Sequence, residues 1–511
     1  MDFVDFSNSF WSVIPPLLAL SLAIITRKVL LSLSAGIIVG ALMLSGGNVL
    51  NAASYVATSV FSLVYSDGGL NADYTNIIIF LILLGILTSL LTISGSNRAF
   101  VNWAQKHIKQ KRGAKLLTVF LGVFIFIDDY FNSLAVGAIA RPVTDKYKIS
   151  RAKLAYLLDS TAAPMCVIMP ISSWGAYIIT LVGGLLATHA ITDYSPIGAF
   201  VTMIGMNFYA IFALVLVFIV AIFSFDIGPM AHFERQAENA AVQEEDIQNG
   251  KLGRVRDLVL PILALIIATV GMMIYTGAQA LAADQLSFSI LGAFENTAVG
   301  TSLVFGGVVA LIVATLCALS SKQISLKEYI AAYGLGAKSM FGAILVLFFA
   351  WTINTIVGDM QTGKYLSSLI GDSISIGFLP VLLFVISAVM AFSTGTSWGT
   401  FGIMLPIAAS IAVHAEPALL LPCLSAVMAG AVCGDHCSPI SDTTILSSTG
   451  ASCNHIDHVT TQLPYALLVA ASSAVGYLVL GFTESGLFGF LATGIMMLGL
   501  ILLLKKSQSK V

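Results

Sequence analysis

Apolar runs of about 18 residues or more recur along the whole chain, each long enough to cross a ~30 Å hydrocarbon layer as a helix. In lipid a backbone must satisfy its own hydrogen bonds, so such runs leave few folds open besides packed membrane helices. Charge content agrees: 10% of the 511 residues are charged, against about 25% in soluble domains. The expected fold is all-α and polytopic, with the lipid bilayer as its partner. Six cysteines in or beside apolar segments read as buried thiols. The start, "MDFVDFSNSFWSVIPPLLAL", has no basic residue before its apolar run and reads as a retained first helix.

Basic residues orient a chain of this class, because short cytoplasmic loops are enriched in them. They cluster at Arg27–Lys28, Arg98–Lys115, Arg141–Lys153, Arg235–Arg256, Lys322–Lys338 and Lys505–Lys510, with Lys364 outside the groups. Loops around Asp67 and Asp73, Asp193, Asp284 and Glu295, and Glu484 carry acid without base. This predicts a multi-pass protein of the cytoplasmic membrane, N-terminus outside and C-terminus inside.

"LLTVFLGVFIFIDDYFNSLAVGAIARPV" breaks the alternation. Both of its ends look cytoplasmic, and polar residues interrupt its centre. Each arm, about 12 residues or ~18 Å, is too short to cross. A re-entrant helical hairpin over about 116–142 solves the problem, its polar tip protected inside protein or at a wet cavity. A second such hairpin, over about 377–413, is predicted from "LPVLLFVISAVMAFSTGTSWGTFGIMLPIAASIAV", with acids Asp372 and Glu416 at its flanks and Ser393–Trp398 at its tip.

Two hairpins opening from opposite faces are what an inverted repeat produces. Each is followed by Pro-Ile-Ser and another small polar residue, at Pro170–Ser173 and Pro439–Asp442. The spacings match, 42 residues from Asp128 to Pro170 and 44 from Gly395 to Pro439. The first repeat is assigned to residues 1–225, with an interrupted helix over about 153–187. The second, 257–511, contains an interrupted helix over about 417–449 and the C-terminal helices. Residues 226–256 form a charged cytoplasmic linker, read as a solvated helix without a catalytic or nucleic-acid motif.

Polar side chains and helix breakers coincide at four places. These are the first tip (Asp128, Asp129, Asn132, Ser133), the first interrupted helix (Ser172, Ser173), the second tip (Ser393, Thr394, Thr396) and "GDHCSPISDTT" (Asp435, Ser438, Ser441, Asp442, Thr443). Pro170 and Pro439 remove amide donors, and Gly395 and Gly434 permit unusual backbone angles. A broken helix frees carbonyls at one end and amides at the other. Carbonyls, hydroxyls and carboxylates are hard oxygen ligands for hard cations, and sodium is inferred from that chemistry. A carboxylate also takes a proton, so one site can exchange the two ions by competition. Charges at membrane depth are expensive, about 2.5–3.5 kcal/mol on insertion scales, which favours a functional reason for them. Asp159 lies near the basic end of its helix, where a functional role and pairing with the bases there weigh equally. Trp174 and Trp398 read as packing residues.

The Gly-Asp-x-x-Ser-Pro-x-Ser-Asp-Thr-Thr core at Gly434–Thr444 resembles the signature of the NhaC-type sodium/proton antiporters. That resemblance implies a secondary transporter rather than an enzyme, with an inverted-repeat core of two hairpins and two unwound helices around the ion site. It also implies a homodimer without a cofactor, sodium and protons being the transported species. Carried over by position, the ion ligands are Asp435, Ser438, Ser441, Asp442 and Thr443; the tip residues follow by architecture. The family is also similar to exchangers of small organic acids or amino acids, which keeps a coupled organic substrate as the alternative. A soft-metal site at Cys433, His436 and Cys437 is the rival from another class. It lacks a second ligand cluster, and "HIDH" at His455–His458 has the wrong spacing for a zincin helix.

Overall fold

The structure is a computed structural model in which residues 3–26, 28–66, 68–126, 129–170, 172–239, 253–321, 325–362, 365 and 376–508 are described. Arg27, Asp67, Asp128, Lys322, Lys364, Asp372, Lys510 and linker residues 240–252 lie outside the described residues.

Apart from a two-residue ladder between Tyr65–Ser66 and Gly69–Leu70, every regular element among the described residues is helical. Seven helices among them are long and apolar enough to cross a membrane: Tyr74–Ile93, Arg256–Ala283, Gly300–Ser320, Ile376–Thr394, Pro417–Cys437, His455–Thr483 and Gly486–Lys505. Pro196–Met206 and Phe208–Phe223, bent by 53°, make an eighth if they count as one span. The bend falls at Asn207, whose side chain caps the second piece by accepting Ala210 N at 3.2 Å. The chain is a multi-pass membrane protein.

Burial separates the inner helices from the outer ones. Of the apolar window in Pro417–Cys437, 89% is buried, against 22% in Gly486–Lys505. Outer helices such as the latter leave their leucines and phenylalanines for lipid to cover. Ala72–Ile93, Arg256–Ala283, Val299–Ser321 and Leu326–Asp359 pack together as one group.

Two helix pairs and two broken segments form the centre. The first pair is Lys111–Phe124 with Asp129–Lys146, and the second is Leu379–Thr394 with Ser397–Ala415. The first broken segment comprises Arg151–Asp159, Ala163–Cys166 and Ser173–Thr188; the second comprises Leu420–Cys437 and Asp442–Ala451. They interlock across the chain. Asp442–Ala451 packs on Asp129–Lys146 and Arg151–Asp159, while Ser173–Thr188 packs on Ser397–Ala415.

Two sequence expectations are corrected here. Gly434 does not break its helix, which runs regularly to Cys437. Its lack of a side chain serves contact instead: an added Cβ would lie 2.1 Å from Ala388 O and 2.6 Å from Phe392 N. The linker helix, Pro229–Asn239, is not simply solvated. It buries Met230 and Glu234, and Glu234 accepts Ser150 N at 2.8 Å and pairs with Lys111 at 2.8 Å. Those contacts anchor the linker to the first helix pair and the start of the first broken segment.

Candidate ion site at the second helix break

Pro439 has no amide hydrogen with which to continue a helix, and Ser438 leaves Leu420–Cys437 with extended backbone, ψ 128°. The chain re-enters a helix at Ser441, whose hydroxyl caps Asp442–Ala451 by accepting Thr444 N. Asp435 occupies the last turn before the break and is 1% exposed. Its Oδ2 accepts a hydrogen bond from Ser397 Oγ at 2.7 Å, and its Oδ1 accepts one from Ser441 Oγ at 2.5 Å. Ser441 Oγ also lies 2.8 Å from Thr443 Oγ1. Two hydroxyls thus bond one buried carboxylate, and a third, that of Thr443, bonds one of the two.

The tip of the second helix pair reaches this break through Gly395, whose φ of +71° makes a tight left-handed turn. An added Cβ there would lie 2.6 Å from Ile440 O. The first pair approaches from the other side. Tyr130 donates its hydroxyl to Asp442 Oδ2, and Trp174 Nε1 donates to Asp129 Oδ1 at 3.0 Å. Trp174 also meets Trp398 edge-on at 5.5 Å, joining the first broken segment to the second tip.

A cavity of about 660 Å³ opens onto this junction, lined by Asp129, Tyr130, Thr394, Thr396, Trp398 and Asp442 and walled by Tyr74–Ile77. A second cavity, about 540 Å³, is lined by Thr88, Thr92, Arg141, Ser448, Thr449 and Ser452. Tyr74–Ile77 and Thr88–Thr92 lie toward opposite ends of one helix, so the two cavities approach from opposite directions. Between them runs Asp442–Ala451, 10 residues or about 15 Å long. Its amide end, with the partial positive charge of a helix start, lies at the carboxylates. Carboxylate and hydroxyl oxygens are the donor types that a hard cation takes.

Of the residues singled out in the sequence, Asp129, Thr394, Thr396 and Asp442 line the larger cavity, and Asp435, Ser441 and Thr443 form the buried cluster beside it. Others hydrogen-bond elsewhere in the protein. Ser172 caps Ser173–Thr188, accepting Gly175 N at 2.8 Å and lying 2.6 Å from Cys166 O. Ser393 Oγ bonds back to Val389 O at 2.7 Å, and Ser438 Oγ donates to Phe392 O at 2.8 Å. Asn132 Nδ2 binds three carbonyls, those of Gly122, Ile125 and Thr161, and Ser133 Oγ meets Ser447 Oγ at 3.0 Å. Pro170 lies in the irregular stretch between Cys166 and Ser173. Asp128 and the Ser173 side chain are outside the described residues.

Of the two readings open for Asp159, pairing with nearby lysine or arginine is not the one found. The side chain is fully buried, and its Oδ2 faces His458 Nε2 at 3.1 Å, Gln462 Nε2 at 2.6 Å and Thr444 Oγ1 at 3.3 Å. The nearby Lys153 is taken by Asp226. Ser397, Tyr130, Trp174, His458 and Gln462 were not singled out as site residues. Tyr130 and Ser397 each adjoin a residue that was. His458 and Gln462 stand four apart, hence on one helix face, a signal that carries no information until Asp159 is opposite.

Comparison with known proteins bears on the whole chain. The model of the Na+/H+ antiporter family matches residues 165–482. An uncharacterized protein of Haemophilus influenzae is 65% identical over 506 residues, 99% of this chain and 97% of that one. A malate-2H(+)/Na(+)-lactate antiporter of Bacillus subtilis is 27% identical over 238 residues, 45% of this chain and 46% of its own. An uncharacterized Na(+)/H(+) antiporter of H. influenzae is 32% identical over 148 residues, 28% of this chain and 31% of its own. The family match takes in Ser173–Thr188 of the first broken segment, the whole second helix pair and the whole second broken segment, more than half of the chain, and on that extent the chain belongs to the Na+/H+ antiporter family.

Proposed function

We propose that the protein exchanges sodium for protons across the cytoplasmic membrane, the two ions competing for the carboxylates of Asp435 and Asp442. The observation that carries this reading is Asp435, buried at a helix break between the hydroxyls of Ser397 and Ser441. A buried carboxylate needs a counter-charge. A sodium ion supplies it with oxygen neighbours in place, and a proton removes the need for it. Loading with one ion discharges the other.

In this reading the helix pairs are re-entrant hairpins of an inverted repeat, and the protein works as a homodimer, as the family resemblance implies. The basic clusters put the C-terminus in the cytoplasm, so the cavity bearing Arg141 faces inward and the one bearing Asp129 and Asp442 faces outward. Alternating access then amounts to opening one cavity to the carboxylates while closing the other. The test is sodium-driven proton movement in proteoliposomes holding the purified protein and no organic solute. Exchange by the wild type and its loss in Asp435→Asn and Asp442→Asn, with normal insertion, are expected. Normal exchange by both variants would sink the site assignment.

A second reading couples the ions to a small organic acid. The volume of about 660 Å³ favours it, being far larger than an ion needs, with Trp398, Tyr74 and Trp351 in its lining. A relative over nearly half of this chain bears the name malate-2H(+)/Na(+)-lactate antiporter. Labelled malate or lactate uptake that requires sodium, with no sodium–proton exchange in its absence, would establish this reading over the first.

A further inference from the structure

Three buried polar atoms without a hydrogen-bond partner among the described residues fall in one cluster: Asp159 Oδ1, His458 Nδ1 and Gln462 Oε1. All three side chains are 0–1% exposed. Asp159 Oδ2 already takes hydrogen bonds from His458 Nε2 at 3.1 Å and Gln462 Nε2 at 2.6 Å. Gln462 Nε2 also donates to His436 O at 2.6 Å, which fixes its amide orientation. With Nε2 as the donor, a neutral His458 presents a lone pair at Nδ1. Two protonatable atoms, His458 Nδ1 and Asp159 Oδ1, are thus uncommitted, so the cluster can take up a proton without breaking an existing hydrogen bond.

We infer that Asp159, His458 and Gln462 form a second proton-binding site, separate from the carboxylates that coordinate sodium and linked to them through Thr444 and Ser441. The link is continuous. Thr444 Oγ1 reaches Asp159 Oδ2 at 3.3 Å, Thr444 N reaches Ser441 Oγ at 3.4 Å, and Ser441 Oγ donates to Asp435 Oδ1 at 2.5 Å. The proton adds to His458 Nδ1, giving an imidazolium paired with the Asp159 carboxylate, and leaves from the same atom. The basic imidazole favours a proton over a hard cation.

The other titratable groups near the pair are already engaged. His436 lies between Ser160 Oγ at 3.1 Å and Tyr209 OH at 2.8 Å, and His455 lies between Pro439 O at 2.7 Å and Ser448 Oγ at 3.1 Å. Lys153, on the helix of Asp159, pairs with Asp226. Tyr209, against His436, has Cys433, Cys437, Tyr156 and Asp159 as its own neighbours. Asp435 is the neighbouring acid through which the pair is coupled to sodium.

This inference rests on the sodium–proton reading, and the experiment separates the two. Proteoliposomes are assayed for sodium–proton exchange and for self-exchange of radiolabelled sodium. Asp159→Asn and His458→Gln are expected to lower proton-coupled flux about tenfold and to leave sodium self-exchange within about twofold of wild type. Unchanged proton coupling, or parallel loss of both fluxes in folded protein, overturns the second site. Should Asp159→Asn fail to fold, His458→Gln carries the comparison. The wild type supplies an independent measurement, protons released on adding sodium in unbuffered detergent solution. More protons released per sodium bound by the wild type than by His458→Gln are expected, and equal release overturns the inference. No exchange by the wild type overturns the sodium–proton reading itself, and the inference with it.

Discussion

At the first helix pair, Asp129 on the tip supplies a carboxylate, and Trp174, just past the neighbouring break, supplies the donor at 3.0 Å. At the second, the roles are exchanged: Ser397 on the tip donates at 2.7 Å, and Asp435, just before the break, accepts. Surroundings differ as well. Asp129 lines a cavity of about 660 Å³, whereas Asp435 is enclosed by hydroxyls. Both carboxylates are only 1% exposed, and a buried charge depends on a bound counter-ion or proton. Two hydroxyls close around Asp435, whereas a cavity lies beside Asp129, so the linkage between ion binding and protonation is expected to be tightest in the second region.

The sharpest way to break that contrast is to neutralise each acid. Asp435→Asn is expected to lower exchange by about a hundredfold or more, and Asp129→Asn by about tenfold. Initial rates in proteoliposomes decide it, and equal losses would erase the distinction. Removing the donors comes next. Hydrogen bonds to charged groups are worth about 1.5–3 kcal/mol, so Ser397→Ala should raise the half-saturating sodium concentration about tenfold, and Trp174→Phe by less. A smaller effect concerns stability. Gly434→Ala forces a Cβ against Ala388 O and should cost about 1–3 kcal/mol, whereas Ser172→Ala loses only a helix cap, about 1 kcal/mol. Thermal unfolding in detergent ranks the two.

The smallest effect lies at the linker. Burial opposes the charge of Glu234, but Lys153, Lys111 and the hydrogen bond from Ser150 outweigh it and hold the carboxyl below its usual range. A depressed folded-state value means stability that is present above the ordinary glutamate range and lost as pH falls through the depressed one. Linker docking should therefore weaken only on strong acidification. Glu234→Gln should abolish that pH dependence, as read by limited proteolysis of the linker between pH 3 and 7.

Some of this was open to direct reading. The Gly-Asp-x-x-Ser-Pro core marked the family because its residue types sit close together in the chain. Asp435 stood out because acid in an apolar run is costly wherever the run folds. Ser393 and Ser438 stay undecided for a related reason: a hydroxyl in a broken helix can face an ion, bond backbone or do both, and these uses look alike in sequence. Gly434 offered the same ambiguity between freedom and close contact.

What the sequence determined by itself is the solvent and the class: long apolar runs with basic loops leave lipid as their environment, and a local motif identifies the family. Tertiary structure alone decided which acid meets which donor. Tyr130 and Asp442 are 312 positions apart, and Asp159 and His458 are 299 apart. Hydrophobic periodicity and helix breaking act over a few residues, whereas these contacts arise only after several helices pack, so no local pattern encodes them.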